Sequence, residues 1–368
     1  MSLSRYQRLE TLIRSAGLDA LVLNPGPTLT YLTGLNFHLM ERPTVLIIVP
    51  GAQPALILPE LEAGKLAQSR LALRDFLFPD NPALWPEVFT RAAAQFGLTG
   101  AKIGVEPNRL RFMELTYLQN AASRAVFVSA EPILNQLRIQ KDAEEIAAMR
   151  QAAVIAQNAF HATLPFIHPG VTERAVAAEL SIQLLRAGSD SEMPFAPIVA
   201  GGPNSANPHA APSDRPLQLG DLLVIDWGAS FGGYCSDLTR TLAIGQLHPE
   251  LRRIHETVQA ANAAGRAAGK PGVPAGDVDR AARQVIDAAG YGPYFTHRTG
   301  HGLGMEGHEP PYMFAENDLL LAEGMAYTVE PGIYLPNRGG VRVEDDIVVT
   351  ADASQSLSDY PRELIILE

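Results

Sequence analysis

His297-Arg298-Thr299-Gly300-His301-Gly302-Leu303-Gly304-Met305-Glu306-Gly307-His308-Glu309-Pro310 is the stretch from which the rest of the chain is read. Three of the chain's nine histidines fall here, at steps of four and seven, among four glycines. Glycine lets backbone turn tightly and approach a ligand closely. Histidine is the commonest metal ligand and the usual proton carrier near neutral pH. A glycine-rich surface loop would account for these residues taken alone. The carboxylates that flank the stretch on both sides argue for chemistry instead.

Upstream, Leu222-Leu223-Val224-Ile225 reads as a buried strand ending on Asp226, where a carboxylate needs a partner. Asp237 follows eleven residues later, beyond Phe231-Gly232-Gly233. A reversal about Phe231-Gly232 sets Asp226 directly opposite Asp237, with Cβ atoms roughly 4.5–5.5 Å apart. Strand alternation puts Val224, Asp226, Asp237 and Thr239 on one face, where Thr239 can hydrogen-bond a ligating carboxylate. Downstream the arithmetic repeats. Glu330 follows Tyr327-Thr328-Val329, Glu344 follows Val341-Arg342-Val343, and a turn centred on Asn337 makes the two acids face each other. Two mirrored acid pairs with His301 between them form an oxygen-rich ligand set, suited to Mn²⁺, Co²⁺ or Zn²⁺. Two divalent ions would balance the four negative charges. Such a pair, roughly 3.5–4 Å apart, lowers the pKa of a shared water and makes a nucleophile at neutral pH.

Around this centre, 368 residues predict two unequal domains, since a domain usually takes roughly 100–200. The first is expected over residues 1–130. Helical spacing over 4–16, 84–96 and 109–121 alternates with short apolar runs at 20–23, 45–49, 55–58, 102–105 and 125–128, an α/β layer. A short helix is expected over 28–35. The loop Asn36 to Pro43 carries His38, Glu41 and Arg42, a candidate lid. The second domain, 131–368, has helical patterns over 141–164, 172–187, 249–268 and 276–290. Strand-like runs lie at 196–200, 222–230, 234–244, 324–330 and 340–349. Helices on one face of an antiparallel sheet make this domain α+β. No dinucleotide fingerprint or phosphate loop is present.

Composition narrows the partners. With 29 basic against 40 acidic residues, net charge −11, the balance argues against a nucleic-acid or anionic-membrane partner, which a basic surface would serve, while leaving room for local basic patches. The single cysteine, Cys235, rules out an internal disulfide and a cysteine-rich zinc site. No apolar run is long enough to span a bilayer, and the N-terminus is charged and amphipathic, so a cytoplasmic location is expected.

The four acids and one histidine, in this order, resemble the metallopeptidase family of Xaa-Pro dipeptidases (prolidases), aminopeptidase P and methionine aminopeptidases, with its pita-bread fold. The resemblance covers the whole chain; the first domain resembles the creatinase-type N-terminal domain of the proline-specific members. The opening stretch is close to the proline-peptidase signature, and departs from it at Gly307, where the family usually has Val or Ile; a looser strand before His308 is expected. The resemblance implies that Asp226 chelates one metal and that Asp237 and Glu344 bridge two. His301 and Glu330 would complete the second site. It implies that His209, seventeen residues before Asp226, contacts substrate. His308 would hold the scissile carbonyl or the tetrahedral intermediate. His297 and Arg342 would line the proline side, Arg342 taking a terminal carboxylate bidentately. Glu330 would carry the proton to the prolyl nitrogen. The implied enzyme is a homodimeric, manganese-favouring Xaa-Pro dipeptidase acting on small peptides with proline second. Aminopeptidase P, acting on longer peptides, is the alternative, and a non-catalytic peptide-binding module on the same fold a remote one. Methionine aminopeptidases generally lack the N-terminal domain, and creatinase lacks the full ligand set.

Overall fold

The chain parts between Arg138 and Ile139, and each side is a compact unit; a computed structural model describes residues 4–368. The first unit runs α1 (Arg5–Ser15), β1 (Ala20–Leu23), α2 (Pro27–Thr33), β2 (Val45–Ile48), β3 (Ala55–Pro59), β4 (Arg74–Phe78), α3 (Trp85–Phe96), β5 (Lys102–Val105), α4 (Phe112–Ala121), β6 (Val126–Ser129) and α5 (Glu131–Arg138). Its six strands form one mixed sheet ordered β4-β3-β2-β1-β5-β6. Val45, Ile47, Val22 and Ile103 of the sheet pack against Val88, Phe89 and Ala92 of α3. Strand β4 escapes the sequence reading because it opens on the exposed Arg74 and Asp75 and buries only Phe78 fully. The loop carrying His38 and Arg42 is irregular, and Arg42 gives a two-pronged grip to Asp80 at 2.9 Å.

The second unit runs α6 (Ala143–Thr163), α7 (Glu173–Arg186), β7 (Ile198–Gly201), β8 (Leu222–Trp227), β9 (Ser230–Phe231), β10 (Tyr234–Cys235), β11 (Leu238–Ile244), α8 (Pro249–Ala268), α9 (Gly276–Ala288), β12 (Gly300–Gly302), β13 (Glu309–Met313), β14 (Ala326–Val329), β15 (Gly332–Leu335), β16 (Gly339–Arg342), β17 (Asp345–Val349), β18 (Ser354–Ser356) and β19 (Ile365–Leu367). Two sheets dominate, β19-β11-β8-β7 and β13-β12-β14-β17-β18. In β8, Leu223, Ile225 and Trp227 point into a core with Phe160 of α6 and Leu180 of α7; the Trp227 ring stacks on Phe160 at 4.3 Å. That leaves Val224 and Asp226 for the opposite face. Helices α8 and α9 cover the ribbon β15–β16 through Ile254, Val258, Ile286, Ile333 and Val341. This is an α+β domain with its strands meeting at the acidic residues.

Two expected runs are broken, and the breaks matter. The reversal between β8 and β11 falls on Gly232-Gly233, both at positive φ (59° and 80°), not on Phe231-Gly232. A type I′ two-residue hairpin loop needs positive φ at both positions, which the paired glycines supply without strain. Asp226 therefore lies opposite Thr239, and not opposite Asp237 as the spacing predicts. A slip of two residues keeps each side chain on its face, so Asp226 and Asp237 still point the same way. In the second hairpin the register is the expected one: Gly332 pairs with Arg342 and Val329 with Asp345, with Asn337 (φ 61°) at the tip. The ladder opens between these pairs, because Pro331 has no N–H to give. Glu330 N–H turns instead to Thr299 O (2.8 Å) and Glu344 N–H to Thr239 O (3.1 Å). Gly307 is in a loop and not a strand, its φ is ordinary, and a Cβ there would only touch Pro194 at 3.8 Å.

Candidate metal centre

Five elements converge on one cavity of about 520 Å³. The end of β8 brings Asp226, the residue before β11 brings Asp237, and β12 brings His301. The opened ladder between β14–β17 and β15–β16 brings Glu330 and Glu344. Asp226, Asp237, His301 and Glu344 are all buried. Each ring nitrogen or carboxylate oxygen falls into overlapping groups whose atoms lie within 4.8 Å of one another: Asp226, Asp237 and Glu344; His301, Glu330 and Glu344; Asp237, His301 and His308. Glu344 belongs to two groups, as do Asp237 and His301.

The electrostatics call for cations. Four carboxylates face one guanidinium, that of Arg342, which donates from Nη2 to Asp226 Oδ2 at 2.6 Å. Asp226 Oδ1 is buried without a hydrogen-bond partner, a cost that a ligand would remove. Burial, and then the charges of neighbouring carboxylates, push Asp237 and Glu344 well above the usual carboxylate range. His301 directs Nδ1 at Gly302 O (3.1 Å), so its Nε2 faces Glu330 Oε1 (3.2 Å) and Asp237 Oδ2 (3.6 Å). A lone pair on Nε2 cannot face two oxygens unless a proton or a metal ion lies between. With a proton there, the bond to His301 holds Glu330 down at about 2, although burial opposes it. These residues fit a pair of hard divalent ions.

Hydrogen bonds from neighbouring groups orient the ligands. Thr239 Oγ1 donates to Glu344 Oε2 (2.6 Å) and Thr328 Oγ1 to Glu330 Oε1 (3.2 Å). Asp346 accepts the Asp237 N–H on both oxygens (3.2 and 3.0 Å). Thr239 was legible from strand parity; Asp346 was not, though a run of three acids in an apolar strand was the available signal.

The remaining expected site residues also line the cavity. His308 packs against His301 with ring centres 3.7 Å apart and planes tilted by 35°, and burial, followed by the neighbouring His301, lowers its pKa to about 4. His209 stands on an exposed loop after Asn207. His297 directs Nδ1 to Arg298 O (2.7 Å) and Nε2 to the Tyr334 hydroxyl (2.9 Å). That hydroxyl also accepts from Arg342 Nη1 at 2.9 Å, so its proton goes to His297 Nε2. Arg342 also donates to Thr239 Oγ1 (3.1 Å) and Pro208 O (3.3 Å), so four of its five N–H groups are engaged. The two-pronged grip on a substrate carboxylate expected of Arg342 would require one of these bonds to be released. Arg298, which the sequence reading passes over, lines the same cavity with its guanidinium 4.4 Å over the Tyr312 ring. Among the described residues no carboxylate bonds to it.

The chain is similar to known proteins over nearly its whole length. Residues 147–351 match the model of metallopeptidase family M24, and residues 5–140 that of the creatinase/prolidase N-terminal domain. The chain is 36% identical to a dipeptidase of Pyrococcus horikoshii OT3, covering 99% of this chain and 100% of that one, with a TM-score of 0.93. A dipeptidase of Mycobacterium ulcerans is 37% identical over 98% of this chain and 96% of its own, with a TM-score of 0.89. A Xaa-Pro dipeptidase of Bacillus anthracis is 33% identical over 99% of both chains, with a TM-score of 0.91.

Proposed function

This chain belongs to metallopeptidase family M24, and from that premise we propose that it is a dinuclear-metal Xaa-Pro dipeptidase. One observation carries the reading: the ligand atoms of Asp226, Asp237, His301, Glu330 and Glu344 gather into two overlapping groups that share Glu344. Manganese is the favoured occupant, since the donors are mostly carboxylate oxygens. When bound, two divalent ions supply a hydroxide at neutral pH and a Lewis acid for the carbonyl.

The chain's own residues do the rest. Asp226, Asp237 and Glu344 would hold one ion, and His301, Glu330 and Glu344 the other, with Asp237 also within reach of His301. Glu330 receives the proton of the attacking water and delivers it to the prolyl nitrogen as the peptide bond breaks. His308 faces the scissile carbonyl and stabilises the charge that develops on its oxygen. His209 reaches the substrate from the exposed side. His297 and Tyr334 set the wall of the proline side, with Arg342 fastened behind them to Asp226. Arg298, held over the Tyr312 ring and without an acid partner among the described residues, is the guanidinium that takes the dipeptide's terminal carboxylate.

Support for a dipeptide as substrate comes from relatives of that name; support for proline in second place comes from the Bacillus anthracis protein and the His308-Glu309 signature. Steady-state hydrolysis of Xaa-Pro against Xaa-Pro-Yaa by the manganese-loaded enzyme tests the reading. A preference for the dipeptide is expected. A preference for the tripeptide would make the enzyme an aminopeptidase P, and hydrolysis of neither would end the proposal.

A further inference from the structure

Glu309 follows His308 directly, yet the proposed chemistry gives it no task. Its side chain is buried, and so is that of Lys141, whose Nζ lies 2.7 Å from Glu309 Oε1. A lysine and a glutamate in such a place lose hydration that their attraction does not fully restore, and an apolar pair of similar volume would serve stability as well. What an ion pair adds is direction.

The surroundings show what is being directed. Lys141 is pinned by its backbone: its N–H donates to Gly324 O at 2.7 Å, ahead of β14. Its stem then runs beneath Gly304, where an added Cβ would lie 2.8 Å from both Lys141 Cε and Glu309 Oε1. Glu309 pairs with Gly302 across the bulge that separates it from His301, and bulges of this kind re-aim neighbouring side chains. The loop from Leu303 to His308 is thus held at Gly304 by Cys235 N–H (2.7 Å) and closed at its end by Glu309. His308 is the residue released from that clamp towards His301.

We propose that Lys141 and Glu309 are positioning residues whose ion pair sets His308 against the metal ligands. The proposal rests on the assignment of His308 to the scissile carbonyl. The test compares K141M, E309Q, K141R and the apolar double variant K141M/E309L in hydrolysis of a Xaa-Pro dipeptide and in thermal melting. A misplaced catalytic group costs rate: kcat should fall on the order of 10- to 100-fold in K141M and E309Q, with KM within about twofold of wild type. The double variant should regain the wild-type melting temperature while kcat stays low, and K141R should keep most of kcat. Recovery of kcat together with stability in the double variant, unchanged kcat in the single variants, or a loss expressed in KM alone would overturn the proposal. A crystal structure of the double variant reads the same point without activity: the His301–His308 ring separation should exceed 3.7 Å, and an unmoved ring would overturn it. Absence of Xaa-Pro hydrolysis in the wild type would instead refute the proposed function, and the ring position would still decide the role of the pair.

Discussion

Two clusters of buried acid stand back to back at Glu344-Asp345-Asp346, and the chain treats them differently. Asp345 receives Arg240 Nη2 at 2.9 Å, Arg362 Nε at 2.7 Å and Ser358 Oγ at 2.9 Å, with Arg266 at 3.8 Å. Burial would raise its pKa, but Arg240 and Arg362 hold it below the usual carboxylate range. On the other face, Glu344 joins Asp226, Asp237 and Glu330 around one guanidinium and one imidazole. Where the acid is structural, the chain brings its own cations. Where it leaves carboxylates in excess, the missing charge is to come from outside, and that shortage is the functional signal.

The largest expected effect falls on the cation-poor side. Replacing Asp237 or His301 by Ala should lower kcat/KM at least about a thousandfold, since a metal supplies several kcal/mol of barrier reduction. The metal-free D237A protein should melt no lower than wild type, because one of the repelling acids is gone. A large fall in metal-free stability would break the comparison. On the cation-rich side the pattern should invert. Asp345→Ala strands Arg240 and Arg362 and should cost about 3–5 kcal/mol in denaturant unfolding, while metal stoichiometry in the folded protein is unchanged.

The cation-rich side also predicts a pH dependence. His255 is buried, and burial followed by Arg252 and Arg240 lowers its pKa from 6.5 to about 4. Between these values the unfolded chain binds a proton that the folded chain refuses. Stability is therefore full above pH 6.5 and falls as pH drops towards 4, by about 3 kcal/mol at most. His255→Gln should flatten that slope in chemical denaturation at graded pH, and an unchanged slope would remove His255 from the account. The smallest effect sharpens the cation-poor side: Thr239→Val removes the 2.6 Å bond to Glu344 and should weaken metal binding about 10- to 100-fold, read by competition with a chelator.

Much of this centre is legible in the sequence because strand parity is robust. Asp226 and Asp237 share a face although their register was misjudged by two residues, and the tip at Asn337 aligned Glu330 with Glu344. The paired glycines Gly232-Gly233, with their tolerance of positive φ, are the sequence signal that places this turn. Strand β13 was hidden by Pro310 and Pro311, which argue against a strand anywhere but at an edge, the position it holds. The commitments of Arg342 were out of reach. They depend on Asp226 and Tyr334, and on a backbone carbonyl at Pro208, brought together only by the closed fold. The same holds for Arg240 and Arg362 around Asp345, since nothing in their spacing announces a shared partner.

Anomalous diffraction at the manganese edge, from crystals of the wild-type chain equilibrated with Mn²⁺, addresses the central claim most directly. The account predicts two peaks roughly 3.5–4 Å apart, with Glu344 touching both, Asp226 one and His301 the other. A single peak, or peaks that leave Asp226 Oδ1 and His301 Nε2 without contact, would contradict it.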